Sequence, residues 1–412
     1  MPEFFNVLPP AEALQVLLDG LETRPTLPTT KIPIDEALGR VTAQETHAPE
    51  DLPSFPRSSM DGYSLHASDT FGASEGLPAY FNIVGEVSMG RPSEVSVGTG
   101  DAALAYTGGM LAGGADAVIM VENTQQVDAG TIEVTRPVAV GENVVQPGED
   151  VKRGDIILPA GHYLRPQDLG GLTAMGITKI PVAAKPRVAI LSLGDEVVSP
   201  EAAPAEGQIR DINTYTIAAL VEKAGGVPLP LGIVRDDYEE QTAAAIRGLE
   251  MADVLVFSAG SSVSSRDMTA QIIDTLGQPG VLVHGLAIRP GKPTVIGLVN
   301  GKPAFGLPGN PVSAMVVFDL VVRPTLYHLS GCANPPQAPM VHATLAQDIA
   351  STSGREDFVP VRLTEDQGKR TAHPVFGKSN LIFTLIRSDG LVHIPLDRGG
   401  LYAGEDVPVR LY

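Results

Sequence analysis

The sequence predicts a multidomain chain of α/β plus β class, with a doubly wound sheet at its centre and β-rich segments on either side. Three observations carry this. A length of 412 residues suffices for about three domains. Between residues 185 and 331, short apolar runs alternate with stretches of helical periodicity, the pattern of parallel strands joined by crossover helices. Before and after that region, short apolar runs are separated by glycines and prolines, as in β-structure.

Taken in order, Leu14, Leu17, Leu18 and Leu21 recur at helical spacing behind Pro9-Pro10, which predicts an amphipathic helix with a proline entry. From about residue 51 to 140, runs such as Phe81-Asn-Ile-Val84 and Ala117-Val-Ile-Met-Val121 predict strands. Residues 141–182 carry turn chemistry (Gly148-Glu149-Asp150, Arg153-Gly154-Asp155) around short strands, with a weak helical pattern over 165–175. Residues 181–186 read as a linker. Val188-Ala-Ile-Leu191 is then a buried-type strand. Residues 211–223 predict a helix with Ile217, Leu220, Val221 and Ala224 on one face and Gly225-Gly226 as its stop. A strand over 227–234 and a helix over 238–249 follow, with Glu239 and Glu240 in the first turn and Arg247 near the end, as the helix dipole favours. Val254-Leu-Val-Phe257 is the third strand and residues 267–276 the third helix. Beyond Gly331, Pro335-Pro336 and Pro339 break the pattern. Phe358-Val-Pro-Val-Arg-Leu363, Leu391-Val-His-Ile394 and residues 407–411 predict a small β-domain.

Composition narrows the function classes. With 29 Lys+Arg against 48 Asp+Glu, the net charge of −19 argues against a protein that tracks nucleic-acid backbones or anionic membranes. A local anion site stays compatible, since a few cations and backbone amides decide it. Cys332 is the single cysteine, which removes intrachain disulfides and thiolate metal cages. No basic-then-apolar leader is visible, and the longest apolar run, 312–322, contains Asp319 and is too short for a bilayer. A soluble cytoplasmic location is expected.

Ligands of open α/β sheets bind at the carboxyl ends of the strands, and four loops stand there. Gly194-Asp195-Glu196 places two carboxylates past the first strand, which suits a hard cation such as Mg²⁺ held together with phosphates, or simply a solvated turn. Arg235-Asp236-Asp237 reads first as a helix N-cap. Ser258-Ala-Gly-Ser-Ser262-Val-Ser264, leading to Arg266-Asp267, lets backbone and hydroxyl donors approach an anion or a ring, or forms a plain loop. The fourth is the most specific: in Phe305-Gly-Leu-Pro308-Gly309-Asn310-Pro311, Asn310 is a natural N-cap and Pro311 a natural first helical residue, so free N–H groups would face an anion. Just upstream, Arg289-Pro-Gly-Lys292 holds two cations in a glycine-broken turn. In the first half, Asp61 in Ser58-Ser-Met-Asp-Gly-Tyr63 and Thr107 beside Gly108-Gly109 read alone as turns. The first strand lacks a dinucleotide-binding glycine pattern, no phosphate-binding P-loop or nucleophile elbow occurs, and the eight histidines have no ligand spacing.

Together these segments resemble the molybdopterin molybdenumtransferase family, the bacterial MoeA proteins and the E domain of gephyrin. The resemblance runs nearly end to end: Ala37-Leu-Gly-Arg40-Val41, Ser59-Met-Asp61-Gly62-Tyr63, Thr107-Gly108, Gly114-Ala-Asp116-Ala-Val118, Glu122, Gly148-Glu149-Asp150, Gly194-Asp195-Glu196, Arg235-Asp236-Asp237, Pro290-Gly-Lys292-Pro and Gly306-Leu-Pro-Gly-Asn-Pro311. It implies a segmented first domain (1–47 and 141–182), an inserted β-domain (48–140), an α/β pterin-binding domain (183–331) and a C-terminal β-domain (332–412). It implies a homodimer that inserts molybdenum from molybdate into adenylylated molybdopterin, releasing AMP with the help of Mg²⁺.

The implied partners are a second copy of the chain, the adenylyltransferase that supplies the substrate and the molybdoenzymes that receive the cofactor. Nucleic acid and membrane are not among them. Asp195 and Glu196 are implied to hold or orient metal and pterin. Gly194, Asp236, Ser258, Ser262 and Asp267 are implied on the pterin side. Arg289, Lys292 and the turn of Pro308, Gly309, Asn310 and Pro311 would hold phosphate or molybdate oxygens. Asp61, Thr107, Glu122 and Asp150 would come from the second subunit. The chain departs from the family pattern beside the pterin site: Ala259 and Ser264 stand at glycine positions, Ser261 replaces valine, and Arg289 stands where lysine is common. These departures leave open a tungstate-preferring insertase or a pterin carrier without turnover.

Overall fold

The computed structural model describes residues 7–21, 27–259 and 263–412. The chain forms two compact units, residues 1–44, 160–169 and 179–412 in one and 45–159 and 170–178 in the other.

At the centre of the larger unit is a six-stranded sheet, ordered Val227–Val234, Arg187–Leu193, Val254–Ala259, Lys302–Pro308, Val295–Val299, Pro279–His284. The first four strands are mutually parallel, and the last two join antiparallel. The sheet is therefore mixed, parallel over the strands that strand–helix alternation predicts and antiparallel beyond them. After the third helix the chain returns by hairpins, which need no crossover. Residues 188–193 are buried throughout, as the middle of a sheet covered on both faces requires. The strand Val227–Val234 carries Pro228 and Pro230 and lies at the edge, where a missing N–H is tolerated.

The helix Asn213–Lys223 starts two residues later than its periodicity suggests, because Asp211 stays outside and its carboxylate accepts the Thr214 N–H at 3.1 Å. The helix Val263–Leu276 starts four residues earlier than the pattern from Asp267. The 19-residue helical stretch Pro311–Leu329 is apolar enough for a membrane by composition, yet 67% of it is buried in the protein. It packs with Ala13, Leu17 and Leu21 of the helix Pro10–Leu21 in the main core. Its ladder loosens into a π-turn over Phe318–Val322, just before Pro324, which has no N–H to give.

The same unit contains a closed ring of five strands: Met340–Leu345, Lys369–Pro374, Glu356–Asp366, Gly390–Ile394 and Asp406–Leu411, with the last pairing back to the first. Ala343, Leu345, Val361, Ala372, Val392 and Val409 fill it. One further pairing ties it to the α/β part: Ile288–Arg289 runs parallel to Glu356–Asp357.

The smaller unit is built on a six-stranded sheet ordered Ala117–Met120, Gly62–Leu65, Asp101–Ala105, Ala79–Glu86, Thr131–Val134, Thr124–Asp128. Leu65, Phe81, Ile119, Ile132 and Val134 form its core.

Candidate functional site

The parallel strands deliver four loops side by side. Gly194 ends the first strand with φ +136°, and a β-carbon there would lie 2.6 Å from Glu196 Oε2, so glycine lets that carboxylate fold back over the backbone. Asp195 is exposed and its Oδ1 accepts the Asp236 N–H at 3.3 Å, which joins the first loop to the second. Asp237 is the N-cap of the helix Tyr238–Met251, accepting from the Glu240 N–H at 2.8 Å. Fully buried Gln241 donates to the Arg235 carbonyl at 2.9 Å and holds that loop from beneath. Ser258 is buried at the end of the third strand. Asp267 is exposed on the following helix, and Ser262 lies outside the described residues.

The fourth loop differs from the sequence expectation. Asn310 occupies the N-cap position before Pro311, but its side chain makes no cap. Instead its Nδ2 donates to Ser379 Oγ at 2.9 Å, and the Val312 N–H donates to the Ser379 carbonyl at 3.2 Å. The helix end is thus partly capped by a segment distant in sequence rather than left free for an anion.

A cavity of about 1360 Å³ opens here, lined from the α/β part by Arg289, Lys292, Pro308, Gly309 and Asn310 and from the C-terminal part by Arg355, Lys378 and Ser379 together with Asp348 and Asp357. Arg289 and Lys292 are exposed at their tips. Gly291 between them has φ +116°, and a β-carbon would meet Val317 at 2.6 Å and Ile288 at 2.7 Å, so only glycine lets this turn lie on the core. Arg355 makes a two-pronged pair with buried Asp357, at 2.9 and 3.4 Å. The cavity does not include Asp195, Glu196, Asp236, Ser258 or Asp267 in its walls. Arg355, Lys378 and Ser379 are the residues the sequence reading missed. No local motif marks them; the pairing of Ile288–Arg289 with Glu356–Asp357, and the bonds from Asn310 and Val312 to Ser379, bring them round.

In the smaller unit, Asp61 Oδ1 accepts the Thr107 N–H at 2.8 Å and the Thr107 hydroxyl at 2.9 Å. These bonds, the backbone one first, hold its carboxyl below the ordinary range. Gly62 lets the strands close up: a β-carbon there would lie 1.9 Å from the Ile119 carbonyl oxygen. The Asp61 carbonyl accepts the Val121 N–H at 3.1 Å, which sets exposed Glu122 in the neighbouring turn. Asp150 is exposed on the separate turn after Gly148, its N–H donating to the Leu52 carbonyl at 3.1 Å.

Among the described residues no group of three or more His, Cys, Asp or Glu side chains could cage a metal ion. Mg²⁺ usually takes only one or two protein carboxylates and completes its shell with water and substrate phosphate, and adjacent Asp195 and Glu196 fit that requirement.

Family models cover most of the chain: the MoeA N-terminal region (domain I and II) matches residues 8–176, a probable molybdopterin binding domain 189–328, and the MoeA C-terminal region (domain IV) 342–412. The molybdopterin molybdenumtransferase of Haemophilus influenzae is 32% identical over 384 residues, 93% of each chain. The chain belongs to the molybdopterin molybdenumtransferase family. A putative molybdopterin biosynthesis protein of Methanocaldococcus jannaschii is 36% identical over 392 residues, 92% of each chain. The crystal structure of the molybdopterin biosynthesis MoeA protein of Pyrococcus horikoshii matches this member of the family with a TM-score of 0.85 and 34% identity, over 98% of this chain and 100% of that one.

Proposed function

We propose that this chain inserts molybdenum from molybdate into adenylylated molybdopterin, with release of AMP. The observation that supports it most is the cavity that sets Arg289 and Lys292 opposite Arg355 and Lys378, in a chain whose curated relatives are molybdopterin molybdenumtransferases. A tetrahedral oxyanion and a pyrophosphate both need cations and N–H donors placed where charge develops. In this reading Arg289, Lys292 and Lys378 neutralise oxyanion or phosphate charge, and Ser379 and Asn310 orient it. Asp195, Glu196 and Asp236 line the pterin nucleotide's side of the strand ends with Gly194, Ser258 and Asp267, and Ser262 is assigned to that side by the family resemblance alone. Asp195 and Glu196 would hold Mg²⁺, which supplies charge neutralisation at the phosphate oxygens when bound.

A second copy of the chain would contribute Asp61, Thr107, Glu122 and Asp150, and the four-domain division 1–47 with 141–182, 48–140, 183–331 and 332–412 is the partition that goes with this dimer. The names of the curated relatives favour turnover with molybdate over a tungstate enzyme or a carrier. The deciding assay mixes the full chain with adenylylated molybdopterin and Mg²⁺, adds molybdate or tungstate, and follows AMP. Molybdate-dependent AMP release is expected, and bound pterin with no AMP would leave only the carrier. Asp61→Ala is expected to slow release about tenfold to a hundredfold, in the range of a lost positioning group; an unchanged rate would remove Asp61 from the mechanism.

A further inference from the structure

Asn213 is 7% exposed at the first turn of the helix Asn213–Lys223, and no motif singled it out. Its Nδ2 donates twice, to Ser258 Oγ at 2.8 Å and to the Gly309 carbonyl at 2.8 Å. Both amide hydrogens are therefore spent on two different strand-end loops. Because the Gly309 carbonyl can only accept, the orientation of the amide is fixed. Among the described residues Asn213 Oδ1, buried, has no hydrogen-bond partner, an arrangement that native structures keep for a reason. Ser258 Oγ, already accepting from Asn213, is left with its own hydrogen to donate.

We propose that Asn213 is the positioning residue of the substrate site: it fixes the distance between the Ser258 loop and the Gly309-Asn310 turn, and its amide sets the Ser258 hydroxyl as a donor. The proposal rests on the reading of these two loops as the pterin-nucleotide and anion sides of one site. Leucine, of similar volume, would fill the place but tie nothing. Aspartate separates the tether from the packing. As a carboxylate it can only accept, so it takes the Ser258 hydroxyl hydrogen that the amide leaves free, and it repels the Gly309 carbonyl. Buried beside that carbonyl its pKa is raised, so as the pH falls it protonates and donates one hydrogen bond back to Gly309.

The test uses the full chain as wild type, Asn213→Leu and Asn213→Asp, with two readouts between pH 5 and 8. The first is amide hydrogen exchange of residues 307–313 without ligand. The second is the dissociation constant for adenylylated molybdopterin. Asn213→Leu is expected to speed exchange in that segment and weaken binding about tenfold at every pH, the scale of losing one or two neutral hydrogen bonds. Asn213→Asp is expected to match Asn213→Leu at pH 8 and, toward pH 5, to recover protection of the segment but only part of the affinity, since the Ser258 hydroxyl stays committed to it. Unchanged exchange in both variants, or faster exchange with unchanged affinity, overturns the proposal. If wild type fails to bind the nucleotide, the functional reading fails by itself, and the exchange data still decide whether Asn213 ties the loops.

Discussion

On the α/β side of the cavity, Arg289, Lys292 and Asn310 sit in turns whose shape is dictated by neighbours in sequence: Gly291 on the core, Pro311 at a helix start. On the barrel side, Ser379 is held by Asn310 from 69 residues away, and Arg355 pairs with Asp357 two residues on, in a strand placed here by its pairing with Ile288–Arg289. The two walls differ in charge, since Asp348 and Asp357 stand beside Arg355 and Lys378 on the barrel side, and only the α/β wall is written locally. The difference teaches that a cavity can be half legible: its turn-built wall shows in the residue string, and its register-built wall appears only after the strands pair.

Substitutions can break that comparison. The largest effect is expected for Lys292→Ala, an exposed cation whose side chain has no ion pair among the described residues, which should lower the rate of AMP release about 10²–10³-fold, as loss of an oxyanion-stabilising group does, with little change in the urea midpoint. A fall in stability matching the fall in rate would show instead that the turn itself had been damaged. Arg355→Ala is expected to do both. It leaves Asp357, 3% exposed, without its partner, and should cost roughly 1–3 kcal/mol, discounted from the fully buried case because Arg355 is partly exposed. Chemical denaturation measures this directly, and an unchanged midpoint would mean the pair is energetically idle. Ser379→Ala removes the acceptor for Asn310 and should cost about 1 kcal/mol, while the Ser379 carbonyl still caps Val312. A modest rise in the molybdate KM is the accompanying result.

The α/β strands and the glycine-bounded turns were readable because period and turn chemistry are local properties. Asn310 was read as a cap from the same local rule, and the rule lost to Ser379, which supplies two partners from across the unit. The antiparallel edge of the sheet was not readable, since strand direction depends on how the chain returns rather than on the strand's own residues. Asn213 looked like any polar residue in a helical first turn. Its importance comes from two acceptors 45 and 96 residues away.

The smallest expected effect on AMP release lies away from both walls and serves as their control. Burial pushes the Asp168 carboxyl up, but hydrogen bonds from Arg165 and His162 outweigh it and hold the group down at about 2. A carboxyl depressed from 3.8 in this way adds stability above pH 3.8 that is lost as the pH falls through about 2. Asp168→Asn should therefore lower the urea midpoint at pH 7 and converge on wild type near pH 2, with AMP release at neutral pH unaffected in the folded fraction. A gap that persists at pH 2 would assign the loss to packing rather than charge.

The short pairing of Ile288–Arg289 with Glu356–Asp357 also bears on how such chains can recombine. The strand Glu356–Asp366 belongs to the barrel ring and, at its first two residues, to the α/β part. A barrel exchanged between relatives at the proline-rich stretch near 335–339 would carry Glu356–Asp357 into a foreign ladder. Slipping that ladder by one position would turn alternate side chains to the opposite face. Chimaeras should hence work when donor and acceptor agree at these four paired positions, whatever their similarity elsewhere, which makes the ladder a unit of inheritance smaller than a domain.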